Sequence, residues 1–441
     1  MPPLFNKRYL KMKKYLIIIL ILLLLCSCSL QAKDELSPSG EGSSTEEILE
    51  LQPGPPGVVF PPTETPPSPT VAPEPTPEPE PEPEPEPTQE ELEMLYIEAL
   101  IDSMSIEEQV AQMFILNLGN RHTGPSEDLE EFISESGAGG YILFGGNITT
   151  VEGTKTLIDA VNAYSAIAPF ICIDEEGGIV SRLYSSKLPG YAAQPSARDI
   201  GKRGETQEAY DVGETIGAAL SSIGVNVDFA PVADVLTNSR NSVIGSRSYG
   251  SDPIAVGDMA AAFQAGLHSQ GIMSAPKHFP GHGNTASDTH QGQAIVASDA
   301  EHLASVEYVP FARLIDEGAQ FIMTGHLQVP SVEPDNLPAT FSRYLLTDIL
   351  RGELGFDGII VTDSMAMGAI IQEYSAEEAA VMAIQAGVDM ILIPENYNKA
   401  ASGIIQAVDD GMITTQRIRE SLLRIMLTKL KAKGTTITID N

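Results

Sequence analysis

Eight short apolar runs, each separated from the next by a stretch of helical length, constrain the fold more than any other feature of this sequence. Runs of this length are typical of strands buried on both faces. The stretches between them, for example 206–223, 253–270 and 298–317, have the apolar spacing of amphipathic helices. The eight runs lie at residues 113–118, 140–144, 169–173, 225–232, 272–275, 321–324, 358–362 and 388–393.

Strands that alternate with helices predict an α/β architecture, in which helices cover a parallel sheet. Eight such units within residues 90–441 predict a (β/α)8 TIM-type barrel that forms a single domain, with some insertion beyond the usual ~250 residues. A doubly wound open sheet is the alternative, although no Gly-x-Gly-x-x-Gly turn follows the first strand.

Polar side chains follow the carboxyl ends of most of these predicted strands. Active sites of (β/α)8 barrels lie at that end of the strands. Chance would place one or two carboxylates there, whereas a ring of polar groups indicates an enzyme. The ring consists of Asp174, Asp228, Asp234, Lys277, His278, His326, Asp363 and Glu395.

The loop after the fifth strand, residues 277–290, holds the densest group of titratable side chains. It reads Lys-His-Phe-Pro-Gly-His-Gly-Asn-Thr-Ala-Ser-Asp-Thr-His. Its glycines let the loop fold tightly over a bound molecule, and a merely solvated loop has no need of so many titratable groups. Because the histidines do not follow the helical His-Glu-x-x-His pattern, zinc hydrolysis is a weak alternative, and we expect no metal and no cofactor.

Residues 1–27 have the pattern of a bacterial lipoprotein signal peptide. Lys11, Lys13 and Lys14 precede an apolar run at 16–25, which is too short to cross a hydrocarbon core of about 30 Å. The sequence Leu-Cys-Ser-Cys at 25–28 resembles a lipobox, which predicts lipidation at Cys28 and anchoring to the extracytoplasmic face of a bacterial cell membrane. Cys26 is a weaker candidate, an ordinary cleaved signal is the alternative, and Met12 would serve equally well as the start.

The composition of residues 28–89, rich in proline and glutamate, cannot form a packed core, so we expect a disordered tether there. Proline favours the extended polyproline form, in which residues 53–88 would span roughly 110 Å. Such a tether would hold the folded domain away from a membrane. A ligand for a proline-binding module is the alternative.

The charge and cysteine content exclude two further classes. A net charge of −34 excludes binding to nucleic acid through the phosphate backbone. Beyond Cys28 the sequence contains one cysteine, Cys172, so we expect no intramolecular disulfide and no cysteine-rich metal site.

Four motifs fall at the ends of the predicted strands: Asp174-Glu-Glu-Gly-Gly, Gly245-Ser-Arg-Ser-Tyr-Gly, Lys277-His-Phe-Pro-Gly-His-Gly-x4-Asp-Thr-His and Val361-Thr-Asp-Ser-Met-Ala-Met-Gly. Together they resemble glycoside hydrolase family 3, and in particular its bacterial β-N-acetylglucosaminidases of peptidoglycan metabolism. The resemblance covers about residues 95–430. It implies a retaining, exo-acting hydrolase that removes terminal, non-reducing β-linked N-acetylglucosamine from peptidoglycan-derived saccharides.

A retaining glycosidase needs a carboxylate that traps the anomeric carbon and a second group that protonates the leaving oxygen. Asp363 matches the nucleophile of the resembled family, although an aspartate at this position could also only cap the next helix. The resemblance implies His290 as the general acid/base, supported by Asp288, which would orient the imidazole and stabilise its charged form. A histidine suits this role because its ordinary pKa is near 6.5. The alternative is that His290 has no role.

The resemblance also implies a set of substrate-binding residues. Asp174 would accept hydrogen bonds from sugar hydroxyls, and Lys277 and His278 would contact the sugar from the end of the fifth strand. Arg182 and Arg247 match family positions that contact the sugar, with a structural salt bridge as the alternative for each. His282 could shape the loop, and His326 could line the floor of the pocket.

Two features bear on specificity. Where the family usually has an arginine after the Gly-Gly pair, this sequence has Ile179. The sequence contains no tryptophan, so stacking against a sugar would have to use Tyr or Phe. Ile179 could alter the charge around the pocket without affecting the catalytic pair. The lack of tryptophan favours a short pocket for one terminal sugar over a long polysaccharide cleft.

Three other functions stay open. A phosphorylase would use phosphate in place of water, and a histidine acid/base would repel it less than a carboxylate would. A β-glucosidase or xylosidase is the second, although many of these carry a further C-terminal domain, which we do not expect in a sequence that ends at Asn441. A non-catalytic cell-wall-binding lipoprotein is the third, but it would have no reason to retain Asp288, His290 and Asp363.

Overall fold

The computed structural model describes residues 87–119, 122–285 and 294–432. The chain divides into two units, Met1–Glu82 and Pro83–Asn441, and every described residue belongs to the second unit. The predicted signal peptide, Cys28 and the tether up to residue 86 lie outside the described residues, and so do Asp288 and His290. In the part of the chain that is described, no helix is long and apolar enough to cross a membrane.

Each of the eight predicted apolar runs contains a strand. These eight are β1, β2, β3, β6, β7, β10, β12 and β13, and their residues are almost all buried, which explains why the runs are continuously apolar. The strands of the described residues, β1–β13, are Phe114–Asn117, Gly140–Ile142, Phe170–Ile173, Glu175–Gly177, Val180–Ser181, Val227–Asp228, Met273–Ser274, Lys277–Phe279, Ala294–Ile295, Phe321–Thr324, Leu327–Gln328, Ile359–Thr362 and Ile391–Leu392.

Helices follow the strands as the sequence predicts. The stretch predicted at 253–270 ends one residue earlier, and that at 298–317 contains a π-helical segment, Leu303–Glu307, between two α-helices. A second π-helical segment is Tyr344–Glu353. The α-helices of the described residues, α1–α14, are Gln89–Asp102, Ile106–Ala111, Glu127–Ser136, Val151–Tyr164, Arg182–Ser185, Ala197–Arg203, Thr206–Ile223, Pro253–Ser269, Ala300–His302, Tyr308–Asp316, Gly368–Ile371, Ala376–Ala386, Tyr397–Asp409 and Thr415–Ala432.

The eight strands of the predicted runs and β8 form two parallel sheets, of order β13-β1-β2-β3-β6-β7 and β12-β10-β8, and β11 and β9 form a separate parallel pair. Apart from β13, which pairs with β1, neighbours follow chain order, so the reversal of order that defines a doubly wound sheet does not occur. Parallel bridges between Val361 and Met390 and between Val232 and Lys277 link the two sheets. The prediction of an α/β fold with a parallel sheet is confirmed.

The sheet is curled, because side chains from opposite sheets meet inside it. Phe170 of β3 contacts Phe321 of β10 edge to face, with ring centroids 5.0 Å apart. Outside the sheet, α7 and α8 pack closely where Gly213 faces the backbone of Phe263; a Cβ atom on this glycine would lie 2.2 Å from the Phe263 carbonyl oxygen. The curl turns the carboxyl ends of the strands toward one another, and the candidate site lies there.

Candidate active site

A cavity of about 450 Å³, open to solvent on one side, lies at the carboxyl ends of the parallel strands. A space of this size accommodates a sugar ring with room for an aglycone. The structure brings together in its lining all six predicted catalytic and binding residues that lie in the described part of the chain. These are Asp174, Arg182, Arg247, Lys277, His278 and Asp363.

Asp174 follows β3 directly and holds two cations in place. One carboxylate oxygen accepts a hydrogen bond from Nζ of Lys277 at 2.8 Å, and the other accepts one from Nη2 of Arg182 at 3.2 Å. Arg182 begins the short helix α5, and its guanidinium lies 5.4 Å from the centre of the Phe144 ring. The salt bridge considered for Arg182 is therefore present, and the same side chain also lines the cavity.

Glu176 is a cavity residue that the sequence reasoning did not select. Its carboxylate lies 2.7 Å from Nζ of Lys277 and accepts two hydrogen bonds from Arg247, each at 2.8 Å. Burial alone would raise the pKa of Glu176, but the charges of Arg247 and Lys277 outweigh it and hold this pKa well below its usual range. The available signal was its place in the Asp-Glu-Glu-Gly-Gly motif, two residues after Asp174.

The His278 side chain contacts the carboxylate of Asp234, which does not itself line the cavity. Nδ1 of His278 lies 2.8 Å from one Asp234 carboxylate oxygen, and the other oxygen accepts hydrogen bonds from the backbone N–H groups of His278 and His282. His282 also lines the cavity, and its Nδ1 lies 2.7 Å from the hydroxyl of Thr285. Burial lowers the pKa of His282, so this imidazole is neutral near pH 7.

Asp363 follows β12, and its backbone N–H donates to the carbonyl of Thr324 in β10 at 2.9 Å, which fixes its position. A carboxylate oxygen accepts the backbone N–H of Ser364 at 2.7 Å. Burial would raise the pKa of Asp363. The nearby imidazoles of His278 and His326, the Ser364 N–H and Lys277 lower this pKa by more than burial raises it, so the net shift is downward. Asp363 is therefore an anion, as a nucleophile must be.

Besides Asp234, three further members of the expected polar ring do not line the cavity. His326 is buried behind it, with its ring nitrogens near the hydroxyl of Thr340 and the carbonyl of Ser364. Glu395 is exposed at the end of the run that contains β13. Asp228 is fully buried: it is the last residue of β6 and pairs with Ile173 of β3, one residue before Asp174.

Asp228 yields a stability prediction. One carboxylate oxygen accepts the backbone N–H of Glu175 at 2.9 Å, and the other is buried without a hydrogen-bond partner among the described residues. Burial raises the pKa of Asp228 well above its usual range, so the folded protein retains a proton that the unfolded chain loses above about pH 4. Wild-type stability therefore falls as the pH rises from about 4 toward the folded-state pKa.

Asp228→Asn keeps the oxygen that accepts the Glu175 N–H and removes this titration. We expect the variant to have a higher Tm than the wild type at pH 8 and a difference that shrinks toward pH 4, measured by thermal unfolding. The exposed Asp159→Asn is the control, since it should show no such trend. A variant that is less stable than the wild type at every pH would contradict the prediction.

Carboxylates and cationic side chains are equal in number around the cavity. Among the described lining residues, the carboxylates are Asp174, Glu176 and Asp363, and the cationic side chains are Arg182, Arg247 and Lys277. Apolar groups such as Phe144, Val180 and Met367 complete the wall. A site of this kind suits a neutral, polyhydroxylated ligand with an apolar face. No group of three or more His, Cys, Asp or Glu side chains among the described residues is arranged to hold a metal ion.

Comparison with known proteins places this fold and site in an enzyme class. The family model described as "Glycosyl hydrolase family 3 N terminal domain" matches residues 105–428. The chain belongs to glycoside hydrolase family 3.

Individual relatives in the family carry closely similar names. Beta-hexosaminidase A of Pseudoalteromonas piscicida is 32% identical over 345 residues, which cover 71% of this chain and 57% of that protein. Beta-hexosaminidase LpqI of Mycobacterium tuberculosis is 30% identical over 332 residues, which cover 74% of this chain and 83% of that protein. The structure of a family 3 β-N-acetylglucosaminidase from Paenibacillus sp. aligns with a TM-score of 0.71 and 33% identity over 77% of this chain and 65% of that one.

Proposed function

We propose that this chain is a retaining exo-β-N-acetylglucosaminidase that removes terminal, non-reducing β-linked N-acetylglucosamine from peptidoglycan-derived saccharides. The observation that carries the proposal is the cavity itself, in which the anionic carboxylate of Asp363 faces the same space as the paired Asp174, Lys277 and Arg182. The names of the relatives support the choice of an N-acetylated amino sugar.

In the proposed reaction, Asp363 attacks the anomeric carbon and forms a covalent glycosyl ester. His290, held by Asp288, protonates the leaving oxygen and then removes a proton from the water that hydrolyses the ester. Asp174, Arg182, Arg247, Lys277 and His278 bind the hydroxyls of the sugar. Support for His290 and Asp288 comes from the sequence motif, and no cofactor takes part.

We also propose that the two sheets form one closed (β/α)8 barrel. Pairing of the first strand β1 with the last strand β13 supports closure, as do the parallel bridges that link the two sheets. The strands β7 and β8, which lie within the single run 273–279, would then be two parts of the fifth barrel strand.

The balance of charge around the cavity favours hydrolysis over phosphorolysis. A phosphorylase must bind a phosphate dianion next to its sugar, which requires cations in excess. Each lysine and arginine among the described lining residues is instead paired with a carboxylate. Water needs no such charge, so a hydrolase fits this wall better.

The proposed location is the extracytoplasmic face of a bacterial membrane. Cleavage before Cys28 and lipidation of its thiol would anchor the protein, and residues 28–89 would act as the tether. Incorporation of radiolabelled palmitate in the wild type, and its absence in Cys28→Ala, is the result that this proposal requires.

The activity is tested by nitrophenol release from purified protein in phosphate-free buffer. We expect turnover of nitrophenyl β-N-acetylglucosaminide and little turnover of the matching β-glucoside, and release of N-acetylglucosamine from disaccharide fragments of peptidoglycan. A requirement for added phosphate would indicate a phosphorylase, and a preference for the glucoside would indicate a glucosidase. No release from any substrate would indicate a non-catalytic wall-binding protein.

A further inference from the structure

A continuous chain of ion pairs and hydrogen bonds runs along the cavity wall and contains two buried carboxylates that take no part in the proposed reaction. These are Glu176, which joins Arg247 to Lys277, and Asp234, which supports His278. The order of contacts is Asp234, His278, Arg247, Glu176, Lys277, Asp174 and Arg182. Charged and neutral groups in such a chain restrict one another's proton positions.

The contact between Arg247 and His278 determines which nitrogen of the imidazole carries the proton. Nη2 of Arg247 lies 3.3 Å from Nε2 of His278. A guanidinium can only donate hydrogen bonds, so Nε2 accepts and has no proton of its own. The proton of the neutral imidazole is then on Nδ1, which donates to Asp234 at 2.8 Å.

The surroundings of Asp234 hold its carboxylate in place beside Nδ1 of His278. Its side chain is fully buried, and one oxygen accepts two backbone N–H groups, from His278 at 3.2 Å and from His282 at 2.6 Å. Burial would raise the pKa of Asp234, but the neighbouring imidazoles and N–H groups outweigh it and lower this pKa. An ionised carboxylate can only accept, so it requires a proton on the nitrogen that faces it.

We propose that Asp234 is a positioning residue, which fixes His278 in the Nδ1–H tautomer so that Nε2 faces the cavity as an acceptor for a hydroxyl of the sugar. The proposal rests on the proposed glycosidase function for its substrate. The contact from Arg247 is long for a hydrogen bond, and the same guanidinium keeps two shorter bonds to Glu176. A hydroxyl donor on the substrate can therefore replace Arg247 at Nε2.

Asp234→Asn tests this assignment with little change of shape. The amide oxygen can still accept the two backbone N–H groups, whereas its NH2 group would face Nδ1 of His278. Nδ1 would then have to accept and the proton would move to Nε2. The Nε2–H group would oppose the donors of Arg247 and could no longer accept a hydrogen bond from a substrate hydroxyl. We expect kcat/KM to fall about 10- to 100-fold, the usual effect of removing a group that orients a histidine.

The tautomer can be measured directly by NMR on the full chain with 15N-labelled histidine, using His278→Gln to assign the signal. We expect the Nδ1–H form in the wild type at pH 7.5 and the Nε2–H form in Asp234→Asn. An Nε2–H or doubly protonated His278 in the wild type, or an unchanged tautomer in the variant, would overturn the proposal. This measurement needs no substrate, so it remains decisive even if the protein hydrolyses no glycoside.

A double-mutant cycle separates positioning of His278 from a general structural role. If Asp234 acts through His278, then Asp234→Asn should cause no further loss of kcat/KM in the His278→Gln background. An equal loss in both backgrounds would contradict the proposal, because it would mean that Asp234 acts through the loop backbone instead.

Discussion

Replacement of Asp363 by Asn should lower kcat for the β-N-acetylglucosaminide by at least about 10⁴-fold while leaving the protein folded. The amide has nearly the same shape and can still accept the N–H of Ser364, but it cannot form the glycosyl ester. Because the sugar would still contact Asp174, Lys277 and His278, KM should change much less than kcat. Steady-state kinetics on the nitrophenyl substrate measures both.

A matched control is available on the same strand. Asp357 lies just before β12, at its amino end, and its side chain is exposed, whereas Asp363 follows the carboxyl end. Asp357→Asn removes the same charge from the opposite end of the same strand, so the kcat of this variant should equal that of the wild type. Comparable losses in the two variants would show that the effect of Asp363 is not chemical.

The proposed role of Asp363 as the nucleophile predicts two further observations. A fluorinated glycosyl substrate that slows ester hydrolysis should add one sugar mass to a peptide that contains Asp363. Because the pKa of Asp363 lies below its usual value near 3.9, its protonation should not limit kcat/KM above about pH 4. Loss of activity between pH 5 and 7 should therefore come from another group, and the proposed His290 is the candidate.

Apolar patterning was sufficient to predict the strands and the end of the sheet that carries the site. The eight strands β1, β2, β3, β6, β7, β10, β12 and β13 lie inside the predicted runs, because strands covered on both faces need continuous apolar residues. Asp174 and Asp363 could be placed for the same reason, since each comes directly after such a run.

The wall around these residues could not be predicted from the pattern alone. Glu176 is two residues beyond its strand, and its partners Arg247 and Lys277 are distant in sequence, so only the fold shows that it links them. Asp228 lies within the fourth apolar run and Asp234 follows it, yet one Asp228 oxygen has no hydrogen-bond partner among the described residues, whereas Asp234 supports His278. Proximity to the end of a strand does not determine whether a carboxylate faces the cavity.

Asp389→Asn should have the largest effect on stability, because this buried carboxylate joins three arginines at the end of the sheet opposite the cavity. It accepts a hydrogen bond from Arg351, and its oxygens lie 3.3 Å from Arg424 and 3.6 Å from Arg417. Further bonds reach the hydroxyl of Ser421 at 2.7 Å and the backbone N–H of Ile360 in β12 at 3.0 Å. Asp389 thus attaches the last helix, α14, to the sheet.

Removal of the charge would leave the arginines without their common partner. Burial already lowers the pKa of Arg351 to about 10 despite the nearby Asp389, so this guanidinium would be the most destabilised group in the variant. Breaking a buried ion pair costs about 3–5 kcal/mol, and we expect a loss of that size in the free energy of unfolding, measured with urea. Activity of the folded variant should be unchanged, since the cluster lies below the strands.

The exposed ion pair of Lys155 and Asp159 is the control for Asp389→Asn. Nζ of Lys155 lies 2.7 Å from a carboxylate oxygen of Asp159, and the two side chains are 54% and 62% exposed. Asp159→Asn should change the free energy of unfolding by about 0–1 kcal/mol, because solvent screens an exposed pair. A similarly small loss in Asp389→Asn would mean that water reaches the three arginines well enough to replace the carboxylate. A large loss would instead identify this cluster as the main electrostatic attachment of α14 to the sheet that carries Asp363.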